Sequence, residues 1–405
     1  MNLVEVHKIT KNHKDYKELD NLCFLSKNLY NATLYTIRQY YFKYNEYLNY
    51  NIINKSFAYD NHPDYRALPA KVSKWVQKLV DQDMQSFFAL VKKAKVGLYT
   101  KKVRLPRYAD KVKGRKKLHY EKGALSFKKK KGYINLSKTG IYIKSKLSEN
   151  EVSYVEVVPC NGCIKLIVGY EKDRKEYKFN SRFASIDLGV NNLAVVSSPV
   201  MNPFIINGRP LKSINQYANK KIAHLKSKLP KGEYSSRRIQ SILLKRENKI
   251  EDYLHKASIY IVNQLVSNHI TVLVIGYNEG WKQDITMGKK NNQNFMHIPF
   301  LKFIDMLEYK CRLNGIMIVL QEESYTSKCS FLDNEDVGKH EIYLGKRVKR
   351  GLFITNNGVL INADLNASLN ILRKCLAEKG VWNHQFWLDQ IEASSVPNLC
   401  KITFV

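Results

Sequence analysis

The chain has 405 residues, enough for a sizeable core and two or three domains. Its 67 Lys and Arg against 36 Asp and Glu leave a net charge of +31, which repels itself in a compact monomer and asks for a polyanionic partner. Seven scattered cysteines, no signal-peptide pattern and no long apolar run argue against a disulfide framework or a membrane span, and for a reducing, cytoplasmic setting.

Residues 1–10 alternate like a strand, and 15–95 read as helical. Within that region "IRQYYFKYNEYLNY" interleaves tyrosines with cations, which suits base stacking beside phosphate contacts as well as helix packing. A stripe of Val72, Trp75, Val76, Leu79, Met84, Phe87, Phe88 and Val91 marks the buried side of one helix. The other side carries Lys71, Lys74, Gln77 and Lys78, which suit base edges in a duplex groove as well as plain surface exposure.

From 91 to 150 there are 20 Lys and Arg but only 3 acids. Pro106, several glycines and alternating runs such as "GYINLSK" predict strands and loops forming a nucleic-acid groove. Lys101, Lys102, Arg104, Arg107, Arg115, Lys116 and Lys117 are its candidate contacts. Further on, Cys160-Asn-Gly-Cys163 joins two β-rich runs. Asn-Gly is a hairpin turn, and no second CxxC completes a zinc site.

Residues 181–374 carry the clearest order. Strands Phe183–Asp187, Leu193–Ser198 and Phe204–Asn207 precede helical segments near 212–228 and 236–267. The second segment has a stripe of Ile239, Leu243, Ile250, Leu254, Ala257, Ile261 and Leu265. A β run, "TVLVIGYNEG", comes next, then a helix over 299–314, a strand "IMIVLQEE", a loop-rich insert over 324–360, and a helix starting at Asp364. Three strands, helix, strand, helix, strand, helix is the order of the ribonuclease-H-like α/β fold.

Three carboxylates take special places in that order. Asp187 ends the first strand, Glu279 follows the fourth, and Asp364 opens the last helix, which gathers them at one edge of the sheet. Glu322 and Glu323, after the fifth strand, are rivals ranked lower because that strand lies farther from the first. Gathered carboxylates raise each other's pKa, and a divalent cation reverses that. Hard oxygen donors suit two Mg²⁺ or Mn²⁺ ions acting on a phosphodiester. Asp364 alone would also serve as a helix N-cap.

The segments "IDLGVNNLAVVS", "VIGYNEGWKQ", "EESYTSKCSFLD", "GKRVKRGLF" and "LINADLNASLNILRK" resemble the OrfB/TnpB family of insertion-sequence transposons, compact RuvC nucleases ancestral to type V CRISPR effectors. "LPAKVSKWVQKLVDQDMQSFF" and "VRLPRY" agree with it too. The resemblance implies an RNA-guided DNA endonuclease, monomeric on its RNA, that pairs a guide RNA with double-stranded target DNA beside a short motif. It implies Asp187, Glu279 and Asp364 as the metal-binding catalytic triad. It also implies a β-barrel wedge domain (1–12 and 98–180) interrupted by a helical recognition domain (13–97), then a split RuvC domain (181–323 and 361–380), an insert (324–360) and a tail (381–405). Many members hold a four-cysteine zinc ribbon in the insert. Here 280–363 contains only Cys311 and Cys329, so no structural zinc is expected and the insert should fold on its own side chains. Lys346, Arg347, Lys349 and Arg350 should face nucleic acid, and Tyr325, Ser327 and Lys328 lie near the third motif. A DDE-type transposase shares the fold, but its acids usually run Asp, Asp, Glu. A CRISPR-associated effector of the same lineage, or a guided binding protein without cleavage, stays open as an alternative.

Overall fold

The computed structural model describes residues 1–404 except Lys129, Lys178, 281–287, Arg350 and 384–398. The sequence-predicted nucleic-acid residue Arg350 and most of the tail therefore lie outside the described residues. The chain divides into two compact units, Met1–Lys172 and Asp173–Val405. Among the described residues no helix is long and apolar enough to cross a membrane.

In chain order the first unit holds β1 (Asn2–Thr10), α1 (Tyr16–Tyr44), α2 (Tyr50–Tyr59), α3 (Pro63–Arg66), α4 (Ala70–Lys95), β2 (Leu118–Glu121), β3 (Leu125–Ser126), β4 (Tyr133–Leu136), β5 (Tyr142–Lys144), β6 (Val152–Cys160) and β7 (Cys163–Glu171). An antiparallel sheet runs β1-β7-β6-β2, and a smaller one runs β3-β4-β5. Asn161 and Gly162 form the β6–β7 turn, Gly162 at φ +76°, with Cys160 opposite Cys163. The four-residue spacing of Val72, Val76, Val80 and Met84 buries one face of α4 beside Leu19, Leu29, Leu34 and Ile37 of α1. Some of the tyrosines are helix packing: Tyr30 donates to Asp83 at 2.6 Å, and Tyr41 and Tyr47 meet the Phe88 ring.

The second unit holds β8 (Phe183–Leu188), β9 (Asn192–Ser198), β10 (Met201–Asn207), α5 (Arg209–Lys226), α6 (Arg237–Ser267), β11 (Val272–Gly276), α7 (Lys289–Met296), α8 (Phe300–Leu313), β12 (Met317–Gln321), β13 (Lys346–Lys349), β14 (Leu352–Ile354), β15 (Leu360–Asn362), α9 (Ala363–Glu378) and β16 (Cys400–Ile402). Its main sheet has the order β12-β11-β8-β9-β10-β16. β8, β9 and β10 are antiparallel neighbours, while β11 runs parallel to β8 and β12 parallel to β11.

Period-2 alternation divides this sheet between two cores. Ala184, Ile186, Ala194, Val196, Leu273 and Ile275 pack with Leu254, Ala257 and Ile261 of α6 and Phe303 and Leu307 of α8. Val195, Ile205, Val272 and Val274 pack with Leu365, Leu369, Leu372 and Leu376 of α9. Because Ile186 and Leu188 point to the α6 side, Ser185 and Asp187 belong to the α9 side. A hydroxyl cluster fixes α9 there. Ser185 Oγ donates to the Ser368 carbonyl at 2.7 Å and meets Ser197 Oγ at 2.8 Å, and Ser368 Oγ lies 2.8 Å from Ser197 Oγ.

The insert between β12 and α9 is tied to α9 by backbone-directed side chains. Asn370 donates to the carbonyls of Thr326 and Cys329, Asn366 to Cys329, and Arg373 to Asn334 and Glu335. The Glu335 carboxylate accepts from the amides of Ser330 and Leu344, and Phe331 and Phe353 are buried.

Candidate active site

A cavity of about 770 Å³ opens in the second unit where the ends of β8 and β11 meet the start of α9. Asp187, Glu323 and Asp364 all line it. Three sequence-distant elements deliver them: the last residues of β8, the loop after β12, and the first turn of α9.

Gly189 and two asparagines turn the chain back tightly from β8 into β9. A Cβ at Gly189 would come within 2.8 Å of the Asn192 carbonyl oxygen. Burial, reinforced by the charges of Asp364 and Glu323, pushes the Asp187 carboxyl well above its usual range, and Arg347 opposes this. Asp364 is spared the capping role, because Asn362 Oδ1 accepts from the amides of Asp364 and Leu365. Its carboxylate instead accepts from Asn192 Nδ2 at 2.7 Å and from Arg347 at 2.9 Å.

The third carboxylate lining the cavity is Glu323 rather than Glu279. Glu279 is exposed in the turn after β11 and is not among the cavity-lining residues. Glu323 is. β11 ends at Gly276, so the chain has already turned away by residue 279. Strand order alone disfavours Glu323, since β12 lies two strands from β8. The loop after β12 nevertheless crosses back over the end of β11. Asn278 holds it there, donating to Glu323 Oε1 at 3.3 Å and accepting from the Glu323 amide at 3.1 Å. A Cβ at Gly276 would lie 2.8 Å from Glu323 Oε2, so the glycine provides the space this carboxylate fills. Burial, with the neighbouring charge of Glu322, raises Glu323 to about 7.

The sequence-predicted cations divide into two sets. Lys71, Lys74 and Lys78 are exposed on α4, as are Lys101, Lys102, Arg104 and Arg107 in the strand-poor stretch after it. Lys328, Lys346, Arg347 and Lys349 are exposed around the insert. Gln77, however, is buried and accepts from Asn54 at 2.9 Å, which removes it from the outward face of α4. Arg115 grips Asp20 through two hydrogen bonds at 2.9 and 2.8 Å. Lys116 lies 3.6 Å from the Tyr30 ring centroid, and Lys117 reaches Glu156 at 3.2 Å. These three cations hold the first unit together rather than standing free for phosphate. The cavity also contains Asn192, Asn278, Arg209 and Lys401, none of which was singled out from sequence. The asparagine pair after "DLG" was a signal for the first; the tail held none for Lys401.

Residues 166–282 match the OrfB_IS605 family, described as a probable transposase, and residues 300–371 match the TNB domain of Cas12f1-like proteins. A TnpB-like protein, ORF457, of Acidianus two-tailed virus is 28% identical over 209 residues, 48% of this chain and 42% of that protein. The CRISPR-associated endodeoxyribonuclease Cas12f2 of a Micrarchaeota archaeon is 27% identical over 222 residues, 51% of this chain and 39% of that protein. In these stretches the chain is similar to TnpB-like and Cas12f proteins. These matched stretches span about two fifths of each curated relative. A solved Cas12f1–sgRNA–target DNA complex shares the fold of this chain at a TM-score of 0.53 and 16% identity, over 88% of this chain and 82% of that one. The first family match contains Asp187, Gly276 and Glu279, and the second contains Glu323 and Asp364.

Proposed function

We propose that this chain is an RNA-guided DNA endonuclease whose cutting centre consists of Asp187, Glu323 and Asp364. The observation that carries this reading is the convergence of three carboxylates on one cavity, two of them raised in pKa by burial and by neighbouring carboxylates. The strand order, three antiparallel neighbours extended by two parallel strands, supports reading the second unit as an RNase-H-like RuvC domain. In the first unit, helices inserted between β1 and β2 support a wedge domain carrying a recognition domain. The one relative named for endonuclease activity, and the fold neighbour solved with guide RNA and target DNA, support guide RNA and DNA as partners.

The donor set suits Mg²⁺ or Mn²⁺: three hard carboxylates, two of them in an environment that disfavours their charge until a cation offsets it. Among the described residues no three His, Cys, Asp or Glu are already gathered as a metal cage. Both oxygens of Asp364 are engaged by Asn192 and Arg347 instead. Bound ions would supply a polarised phosphodiester and an activated water. The chain's own part is positioning. β8 fixes Asp187, the serine cluster and the Asn362 cap fix Asp364, and Asn278 fixes Glu323. Arg347, on the exposed strand β13, carries positive charge to the mouth of the cavity.

The test is to purify the protein from cells expressing its native locus, sequence the RNA that stays bound, and assay cutting of matching DNA. An enriched structured RNA ending in a variable segment is expected, and random fragments would overturn the guided reading. Asp187→Ala should abolish cutting and leave RNA and target binding within a few-fold. Cutting by that variant would overturn the assignment of the site.

A further inference from the structure

The second-unit sheet is closed at one edge by β16, near the C-terminal end of the chain, parallel to β10. The strand is firmly seated. Asn207 Nδ2 donates to Thr403 Oγ1 at 3.0 Å, and Phe404 meets Tyr253 and Tyr260 edge-on with ring centroids 5.6 and 5.9 Å apart. Ile402 and Phe404 pack on the α6 side, and Leu399 on the α9 side. Alternation therefore turns Lys401 to the α9 side, where the acids are.

The ladder sets its place. Asp187 pairs with Val195, Val195 with Ile205, and Ile205 with Lys401, one row across four strands. Three strand spacings separate the ends of the row, about 14 Å. Lys401 lines the same cavity as Asp187, and Arg209, the first residue of α5, lines it beside Lys401. Burial and the charge of Arg209 hold the Lys401 ammonium below its usual value, and the charge of Asp364 opposes this. Among the described residues neither cation forms a salt bridge. Two neighbouring cations that form no salt bridge among the described residues make an anion site. A backbone row of about 14 Å from Asp187 leaves room for a phosphate other than the one being cut.

We infer that Arg209 and Lys401 form a subsite for the sugar–phosphate backbone of the strand led into the acid cavity, supplied in part by the C-terminal strand. This rests on the nuclease reading of the cavity, so its test reads binding separately from cutting. The full-length protein with its co-purified RNA, carrying Asp187→Ala to prevent turnover, is titrated with fluorescent oligothymidylate over a range of salt. Arg209→Ala with Lys401→Ala should weaken binding and reduce the salt slope by about 0.7 for each phosphate no longer neutralised. Lys401→Arg, with Arg209 kept, should bind as the parent does. A control with the same charge loss on the helices, Lys226→Ala with Lys256→Ala, should leave the slope unchanged. An unchanged slope in the Arg209/Lys401 variant, or an equal fall in the control, would overturn the subsite. Residual cutting by Asp187→Ala would instead overturn the active-site reading alone.

Discussion

With no side chain at 276, the end of β11 leaves room that the Glu323 carboxylate fills from the neighbouring loop. If Glu323 is the third acid, Glu323→Gln should cut target DNA at least about 100-fold more slowly, since even outer partners of metal ligands cost 10–100-fold. Glu279→Gln, altering an exposed turn, should stay within a few-fold of wild type. Single-turnover rates of the two variants decide between them, and the reverse ranking would restore Glu279. A second readout needs no catalysis. The Glu323 pKa is about 7, above the ordinary 4.5, so the folded chain holds a proton there that the unfolded chain has lost. Between those two values stability falls as pH rises, and Asp187, raised likewise, acts in the same direction. In chelator-treated protein, the melting temperature should therefore drop from pH 5 to 7 by less in Glu323→Gln than in the parent. Equal pH dependence would show that Glu323 is not held in its neutral form.

At the scale of elements, α9 governs the geometry, because it carries Asp364 and is fixed to β8 and β9 by Ser185, Ser197 and Ser368 and to the insert by Asn366, Asn370 and Arg373. Leu369→Ala, emptying a fully buried site against the sheet, should cost roughly 2–5 kcal/mol, whereas Ser368→Ala should cost about 1 kcal/mol because Ser185 and Ser197 still pair. Urea denaturation of the full chain measures both, and a Ser368→Ala cost as large as that of Leu369→Ala would mean the hydroxyl cluster is the main anchor. Periodicity made these elements legible. The stripe over 239–265 matches the buried face of α6 except at Leu243, and the 183–207 runs match β8 to β10. What the sequence did not reveal is where loops return. The crossing of the β12 loop over β11 depends on Asn278 and Gly276, residues that look ordinary until their neighbours are known. The seat of β16 depends on pairing with β10 about 200 residues away, which no local pattern encodes.

For the whole molecule, a charge of +31 is a statement about partners, and the structure distinguishes which cations are available to them. Lys101, Lys102, Arg104 and Arg107 are exposed, whereas Arg115, Lys116 and Lys117 are committed to Asp20, Tyr30 and Glu156. Sequence density could not separate them, because both sets fall in one basic run and only the fold supplies the internal partners. The two groups should therefore fail differently. Replacing Lys101, Lys102, Arg104 and Arg107 by Ala should leave thermal stability within about 0.5 kcal/mol, as expected for exposed positions. It should also lower the slope of log K against log salt for binding of the co-purified RNA by about 0.7–0.9 for each phosphate left without its cation. Arg115→Ala should do the opposite. It strips a partner from Asp20, lowers the melting temperature of the first unit, and leaves the salt slope of the molecules that remain folded close to the parent's. Isothermal titration at three salt concentrations, paired with a thermal melt of each variant, measures both quantities. A steep fall in slope for Arg115→Ala with unchanged stability would mean that the Asp20 pair opens to let this arginine reach the RNA.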